Sequence, residues 1–397
     1  MTTAQSLRSL PRDLSLSAVL AGIISVLVGL SSSIGLVFQA AREAGLSALT
    51  TTSWLTATCL MIGVVGTWLC LRYRAPVVVV WSTPGLALIV AMAGQTSFPE
   101  MVGAFIVCAV VIALLGYTGL FERITKLIPV PLASALLAGI LLAFPLRAFA
   151  ALPTHPYEVG SMLLAYLAGR VWTPRWAVPL ALVAGVVVAT LTGDWKLPGA
   201  GAAALGALSL TAPHFTLAAT LQLALPLALV TMTAQNLPGS AVLRASGYAR
   251  VPLSPVIGAT GLASLVIAPF GAPTLNLAAL TAAICTGEGA HPDVNRRYIA
   301  GLTSSVCYLL LGVFAGSLTA FVGSLPVTLI TALAGFALIG TVTSNLQTAL
   351  AEPGSREAAA LTLLVTASGV TFFGLGSAFW GITLGLIAHW LLRKRSV

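Results

Sequence analysis

The chain has 397 residues, 58% of them hydrophobic and only 7% charged, with a formal net charge of +9 at neutral pH. A soluble domain carries about a quarter charged residues, so this composition excludes one and predicts a polytopic membrane protein with no separate soluble domain. The basic excess sits in the connections between apolar runs, which excludes a nucleic-acid footprint.

Apolar runs of roughly 17–25 residues, each able to cross about 30 Å of hydrocarbon, recur from end to end. Fourteen segments are predicted, at about 14–38, 48–70, 76–94, 99–120, 130–151, 157–170, 175–192, 215–237, 254–269, 271–286, 298–322, 326–349, 358–374 and 377–392. With the N-terminus inside, alternation places Arg8, Arg12, Arg72, Arg74, Arg123, Lys126, Arg170, Arg175, Arg244, Arg250, Arg296, Arg297, Arg356, Arg393, Lys394 and Arg395 on the cytoplasmic side. Only Arg42, Arg147 and Lys196 fall outside. Such a bias is the positive-inside signature. It predicts a multi-pass protein of a bacterial-type inner (cytoplasmic) membrane with both termini cytoplasmic.

The first run follows Arg8 and Arg12 but extends about 24 residues, beyond the 7–15 of a signal h-region. It is therefore read as an uncleaved span. Its Ser31-Ser32-Ser33 and Gln39 are polar positions of the kind that usually serve packing. The third segment, 75-APVVVVWSTPGLALIVAMAGQ-95, combines a strand signal with a helix start. Proline lacks an N–H and fits the first helical turn, and the residues before it favour extended geometry. A short strand at VVVVW and a half-helix from Pro84 are predicted.

The polar stretch 193–214 divides the chain into two near-equal halves, 1–192 and 215–397. Seven spans in each half give the second half the opposite orientation, which is the signature of an inverted repeat. The fold class is thus an all-α polytopic membrane protein of about 14 segments in two inverted repeats of 7, with half-helices in segments 3 and 10. In segment 8, Gln235 and Asn236 precede Pro238-Gly239; amides within a span usually face the bundle interior. Segment 10, 268-APFGAPTLNLAALTAAICTG-287, matches segment 3, and Pro273 is read as its helix start. Proline-kinked spans and amides acting as interhelical contacts are the competing structural readings.

Two half-helices starting near the midplane in opposite orientations would aim their N-termini at each other. Each end carries about half an elementary charge and several unpaired N–H groups, so the space between them suits a small anion without any lysine or arginine. Ser82 and Thr83 at one start, with Thr274 and Asn276 at the other, add polar donors. Gly85 and Gly271 permit close backbone approach. All ten acidic residues fall in loops or at segment ends, so no mid-membrane carboxylate marks a proton relay. Moving an anion into a negative-inside cell costs about 2.3 kcal/mol per charge per 100 mV, and uphill uptake needs a co-transported cation. Glu288, Asp293 and His291, beyond the second half-helix, are candidates for that coupling or a solvated loop cluster.

The five cysteines are scattered through apolar segments and the four histidines share no ligand spacing, so no metal site is expected. There is no nucleophile elbow, HExxH or P-loop. The reading is a non-enzyme without a cofactor, driven by ion gradients. A channel is the competing class, but no filter motif is evident.

The runs GAPTLNLAALTAAICTGEGAHPDVNRRY (271–298), TAQNLPG (233–239) and WSTPG (81–85) resemble the benzoate:proton symporter (BenE) family, and more distantly the uracil permease and sulfate transporter type fold. The resemblance covers essentially the whole chain. It implies short strands as well as half-helices in segments 3 and 10, a core domain (about 14–128 and 215–322), a gate domain (about 129–192 and 326–392), elevator-type movement and a homodimer through the gate. It implies import of a small aromatic carboxylate with a proton. The substrate would lie between the half-helices, held by Ser82, Thr83, Gly85, Gly271, Thr274 and Asn276, with Gln235 and Asn236 beside it. Trp81 and Phe270 are candidate ring contacts. Nucleobase relatives carry acidic residues in segments 8 and 10. Here those neighbourhoods offer Gln235 and Asn276, which suits a substrate that is itself negative. Transport of another small anion or a nucleobase, and a passive anion channel, are the alternatives.

Overall fold

The structure is a computed structural model that describes residues 10–92, 94–120, 129–195, 204–373 and 375–393. Arg8, Arg123, Lys126, Lys196, Lys394 and Arg395 of the charge pattern lie outside the described residues. Seven described helices are long and apolar enough to cross a membrane. They are α1 (Leu16–Glu43), α2 (Ala48–Tyr73), α4 (Phe98–Tyr117), α5 (Val130–Ala150), α8 (Leu217–Ala245), α9 (Leu253–Ile267, continued by a 3-10 turn to Phe270) and α13 (Val327–Ala351). Shorter helices fill the remainder: α3 (Thr83–Met92), α6 (Pro156–Trp172), α7 (Ala177–Thr192), α10 (Leu280–Thr286), α11 (Tyr298–Val313), α12 (Ala315–Ser324), α14 (Arg356–Ala367) and α15 (Ser377–Arg393).

Predicted segment 11 is broken: its two helices bend by 73° at Phe314. The cause is an inserted backbone. Residues 204–215 form an extended strap in which the Gly206 N–H takes the Val313 carbonyl (2.7 Å) and the Ala204 carbonyl accepts from the Ser317 N–H (3.0 Å). A foreign donor in the i→i−4 ladder is a standard origin of a sharp kink. The strap continues through Ser209 N–H to Ser53 Oγ (2.9 Å), Thr211 N–H to the Pro269 carbonyl (2.8 Å) and His214 N–H to the Pro99 carbonyl (2.9 Å).

Helix α8 carries two π turns, at Thr220–Ala224 and Met232–Asn236, each followed within two residues by a proline, Pro226 and Pro238. Proline lacks the donor that would close the regular ladder, and a π turn is one way a helix absorbs the defect.

The packing sorts the helices into two groups. Helix α2 lies on α11, α4 on α9, and α1 on α10, α11 and α3. Helix α5 lies on α13 and α14, α6 on α7, and α14 on α15. The groups meet where α1 packs on α13 and α3 on α5. At the α4–α9 crossing the backbones touch, because a Cβ on Gly116 would collide with the Gly258 backbone. Gly116→Leu should therefore destabilise the protein by about 3 kcal/mol, the upper end of overpacking effects. Thermal unfolding in detergent measures this, and an unchanged midpoint would show that the helices do not meet there.

Two short strands occupy the interior. Strand β1 (Val79–Trp81) pairs antiparallel with β2 (Leu275–Leu277), with Val79 opposite Leu277, Val80 opposite Asn276 and Trp81 opposite Leu275. Ala278 N–H to the Val78 carbonyl (2.9 Å) and Ser82 N–H to the Thr274 carbonyl (3.3 Å) extend the ladder at both ends. A lone strand in hydrocarbon would leave costly unpaired backbone groups; here the strand from each half satisfies the other.

Candidate functional site

Helix α3 begins at Thr83 and is capped by Ser82, whose Oγ accepts the Gly85 N–H (3.1 Å) and whose carbonyl accepts the Leu86 N–H (2.9 Å). The side chain thus satisfies one of the first-turn donors that lack intrahelical partners. The second half differs from the sequence expectation. Pro273 precedes β2 and does not open the helix, which starts only at Leu280. Gly271, at φ 86°, turns the chain out of α9 against the Phe98 ring. The order is strand, proline, helix in segment 3, but proline, strand, helix in segment 10. The residues at the second helix start are therefore Ala279 to Thr281, in place of Thr274 and Asn276.

A cavity of about 950 Å³ runs from these two helix starts to the surface, where Val130, Arg170, Pro174 and Thr348 are exposed. Trp81, Thr83 and Gln235 line it, as do Ser33, Thr281 and Tyr308. The Trp81 indole N–H donates to Ser33 Oγ (3.0 Å), and Ser33 in turn donates to the Gly29 carbonyl (2.7 Å). Trp81 and Tyr308 pack in a T shape, with ring centroids 5.9 Å apart and planes at 84°, a geometry favoured by the ring quadrupoles. One bonded tryptophan and one buried tyrosine form a fixed aromatic wall beside the threonines of the two helix starts.

The other predicted site residues lie behind that wall. Ser82, Thr231 and Thr274, all at 0% exposure, form a hydroxyl cluster: Thr231 donates to Ser82 Oγ (3.2 Å) and its Oγ1 lies 3.2 Å from Thr274 Oγ1. Asn236 Oδ1 accepts the Leu277 N–H (3.0 Å), tying β2 to the second π turn of α8. The Asn276 amide donates to the Leu277 carbonyl (3.0 Å), while its buried Oδ1 has no partner. Gly85 lets Leu227 pack close. Phe270 is half-buried under the strap, with its carbonyl accepting from Ser53 (3.2 Å), and does not line the cavity.

No aspartate or glutamate is among the described residues lining the cavity, and Arg170 supplies a cation. Charge ties the end of α2 to the chain that follows α10. Asp13 is bound by Arg74 (2.6 Å) and the Tyr298 hydroxyl (2.8 Å), with Arg296 at 3.6 Å. Buried Arg297 donates to the carbonyls of Thr286 (2.8 Å), His291 (2.6 Å) and Pro292 (3.3 Å), closing the C-terminus of α10. The Tyr248 hydroxyl reaches the Val294 carbonyl in the adjoining loop (2.8 Å), and burial pushes its pKa up to about 12. Glu288 and Asp293 are exposed in the loop after α10, and His291 Nδ1 accepts the Asp293 N–H (2.9 Å). These groups face solvent, away from the cavity.

Sequence reasoning did not find Thr281 or Tyr308. Thr281 was hidden by the assumption that a proline marks the helix start. Tyr308 is one tyrosine in an apolar helix, placed beside the site only by the packing of α11 on α1.

Three comparisons bear on this arrangement. The family model described as Benzoate membrane transport protein (BenE) matches residues 12–391. The chain is 42% identical over 394 residues to the Benzoate membrane transport protein of Acinetobacter baylyi, covering 99% of each chain. It is 44% identical over 374 residues to Inner membrane protein YdcO of Escherichia coli, covering 94% of this chain and 95% of the relative. Among solved structures, the transmembrane domain of the cyanobacterial bicarbonate transporter BicA superposes with a TM-score of 0.59 at 15% identity, covering 96% of this chain and 97% of that one. Murine Slc26a9, an anion transporter in the inward-facing state, superposes with a TM-score of 0.63 at 13% identity, covering 98% and 70%. These two share the fold. A multi-pass helical architecture, paired half-helices around an internal cavity and a family match over nearly the whole length lead to one conclusion: the chain belongs to the BenE family of membrane transport proteins.

Proposed function

We propose that this protein is a secondary active transporter that imports benzoate or a related aromatic carboxylate together with a proton. The observation that carries the reading is one cavity in which Thr83 and Thr281, at the two half-helix starts, adjoin the Trp81–Tyr308 wall. The substrate carboxylate takes donors from the side chains of Thr83, Thr281 and Gln235 and from the Thr83 N–H, the first-turn donor of α3 that neither Ser82 nor Pro84 removes. Its ring lies against Trp81 and Tyr308. An inorganic anion would have no use for that wall, and a lining carboxylate would repel the substrate. Ser82, Gly85, Asn236, Gly271, Thr274 and Asn276 shape the site from behind. The name of the 42% identical relative supports the same substrate.

The fold supports an elevator with 14 segments in two inverted repeats of 7. The group holding the half-helices (about 14–128 and 215–322) carries substrate, and the other (about 129–192 and 326–392) is the gate, through which a homodimer forms. The protein lies in the bacterial inner membrane with both termini cytoplasmic, so the cavity opens inward.

Proteoliposomes should accumulate labelled benzoate when an inward proton gradient is imposed, and lose the accumulation when it is collapsed. Equilibration without accumulation would indicate a channel, and no benzoate entry at all would sink the substrate assignment.

A further inference from the structure

The half-helix site offers an anion only partial charges, and these act within about one helical turn. The route to it is longer, since the cavity extends from the half-helix starts to exposed Val130, Pro174 and Thr348. Arg170 stands on this route. It occupies the last turn of α6, is exposed, and lines the cavity. Positive-inside sorting puts arginines at many helix ends but does not require one to line a substrate cavity. One turn earlier on α6, Tyr166 also lines the cavity and stacks on Phe336 of α13 at 5.9 Å and 23°. That contact fixes the α6 face against α13, so the arginine projects from a held surface.

We propose that Arg170 is the capture residue of the cavity: the full positive charge that meets the carboxylate at the mouth and hands it to the half-helix donors. The proposal rests on the aromatic-carboxylate reading above. A cation in a low-dielectric cleft free of acidic residues concentrates anions and raises their capture rate by about 10–1,000-fold, an effect that salt weakens. The placement also gives Arg170 a side. Among the described residues, helix α6 packs mainly on α7 and α13 rather than on α3 or α10. When the half-helices move to open the other face, Arg170 does not follow. Its influence belongs to the face on which this cavity opens.

The test uses purified full-length protein in proteoliposomes of both orientations, with labelled benzoate at several salt concentrations. Arg170→Gln should lower kcat/KM about tenfold or more, flatten its salt dependence, and raise KM more on the Arg170 side than on the opposite face. Arg170→Lys should retain most of the rate. Arg72→Gln removes the same charge from an exposed helix end that does not line the cavity and should behave as wild type. Wild-type kcat/KM and salt slope in Arg170→Gln would overturn the proposal, as would an equal loss in Arg72→Gln or an Arg170→Lys as impaired as the glutamine variant. A wild-type protein that moves no benzoate overturns the substrate reading itself. Benzoate transport with an unaltered Arg170→Gln overturns this inference alone.

Discussion

Asn236→Ala is expected to raise the apparent Kd for benzoate at least tenfold and to lower the thermal midpoint in detergent. The Asn236 carboxamide stands where a third strand would be: its Oδ1 takes the Leu277 N–H at 3.0 Å, on the side of β2 turned away from β1. Asn236 is at 0% exposure and Leu277 at 1%, so no solvent replaces the lost acceptor. A buried donor left unsatisfied costs about 1–3 kcal/mol. That cost falls on the three-residue strand leading directly into α10, so the position of Thr281 loosens with it. Asn236→Asp separates the two effects. It keeps an acceptor oxygen, so the ribbon should hold, but it adds negative charge near an anion site, so benzoate affinity should not recover. If the alanine variant matches wild type in both midpoint and affinity, the carboxamide is not the anchor of the ribbon.

Arg297→Ala should have the largest effect on stability. Arg297, 6% exposed, donates through its guanidinium to the carbonyl of Thr286, the last residue of α10, and to those of His291 and Pro292 in the turn that follows. Hydrogen bonds from a charged donor contribute about 1.5–3 kcal/mol each, and the abandoned acceptors add a desolvation cost. A loss of about 3 kcal/mol or more is expected even if the turn relaxes. Lysine cannot reproduce a planar fork with three separate directions, so Arg297→Lys should recover only part of the loss. The checks are thermal unfolding and protease sensitivity of the 287–297 loop. Wild-type resistance to both in Arg297→Ala would refute the capping role.

Much of this was legible in the sequence. The apolar runs mark the spans because hydrocarbon thickness sets their length, and the valine run with STPG marks β1 and α3 because proline fits the first turn of a helix. The same rule misled at Pro273. A proline is equally at home just before a strand, where no N–H is needed, and periodicity cannot distinguish the cases in a run as short as TLNL. The error moved the second helix start from Leu280 to Pro273 and put Thr274 and Asn276 in the place that Thr281 occupies. The bend at Phe314 was unreadable for another reason: its cause, the Ala204 and Gly206 backbone, lies about a hundred residues away and leaves no trace in the helix sequence itself. Gln235 and Asn236 stand out in the sequence as adjacent amides within a span, yet on a π turn they part, one lining the cavity and one bound to the strand.

The ribbon has a consequence for biosynthesis. Val79 and its partner Leu277 are 198 residues apart, so at about 5–20 residues per second β1 waits about 10–40 s for its mate to be made. A first half that already held this stretch extended in hydrocarbon would leave its polar backbone groups without the partners that β2 supplies. The first half is therefore not a self-sufficient unit at the insertion machinery. It needs shelter until residue 277 emerges, and a ribosome that stalls before that point leaves behind a substrate for membrane quality control.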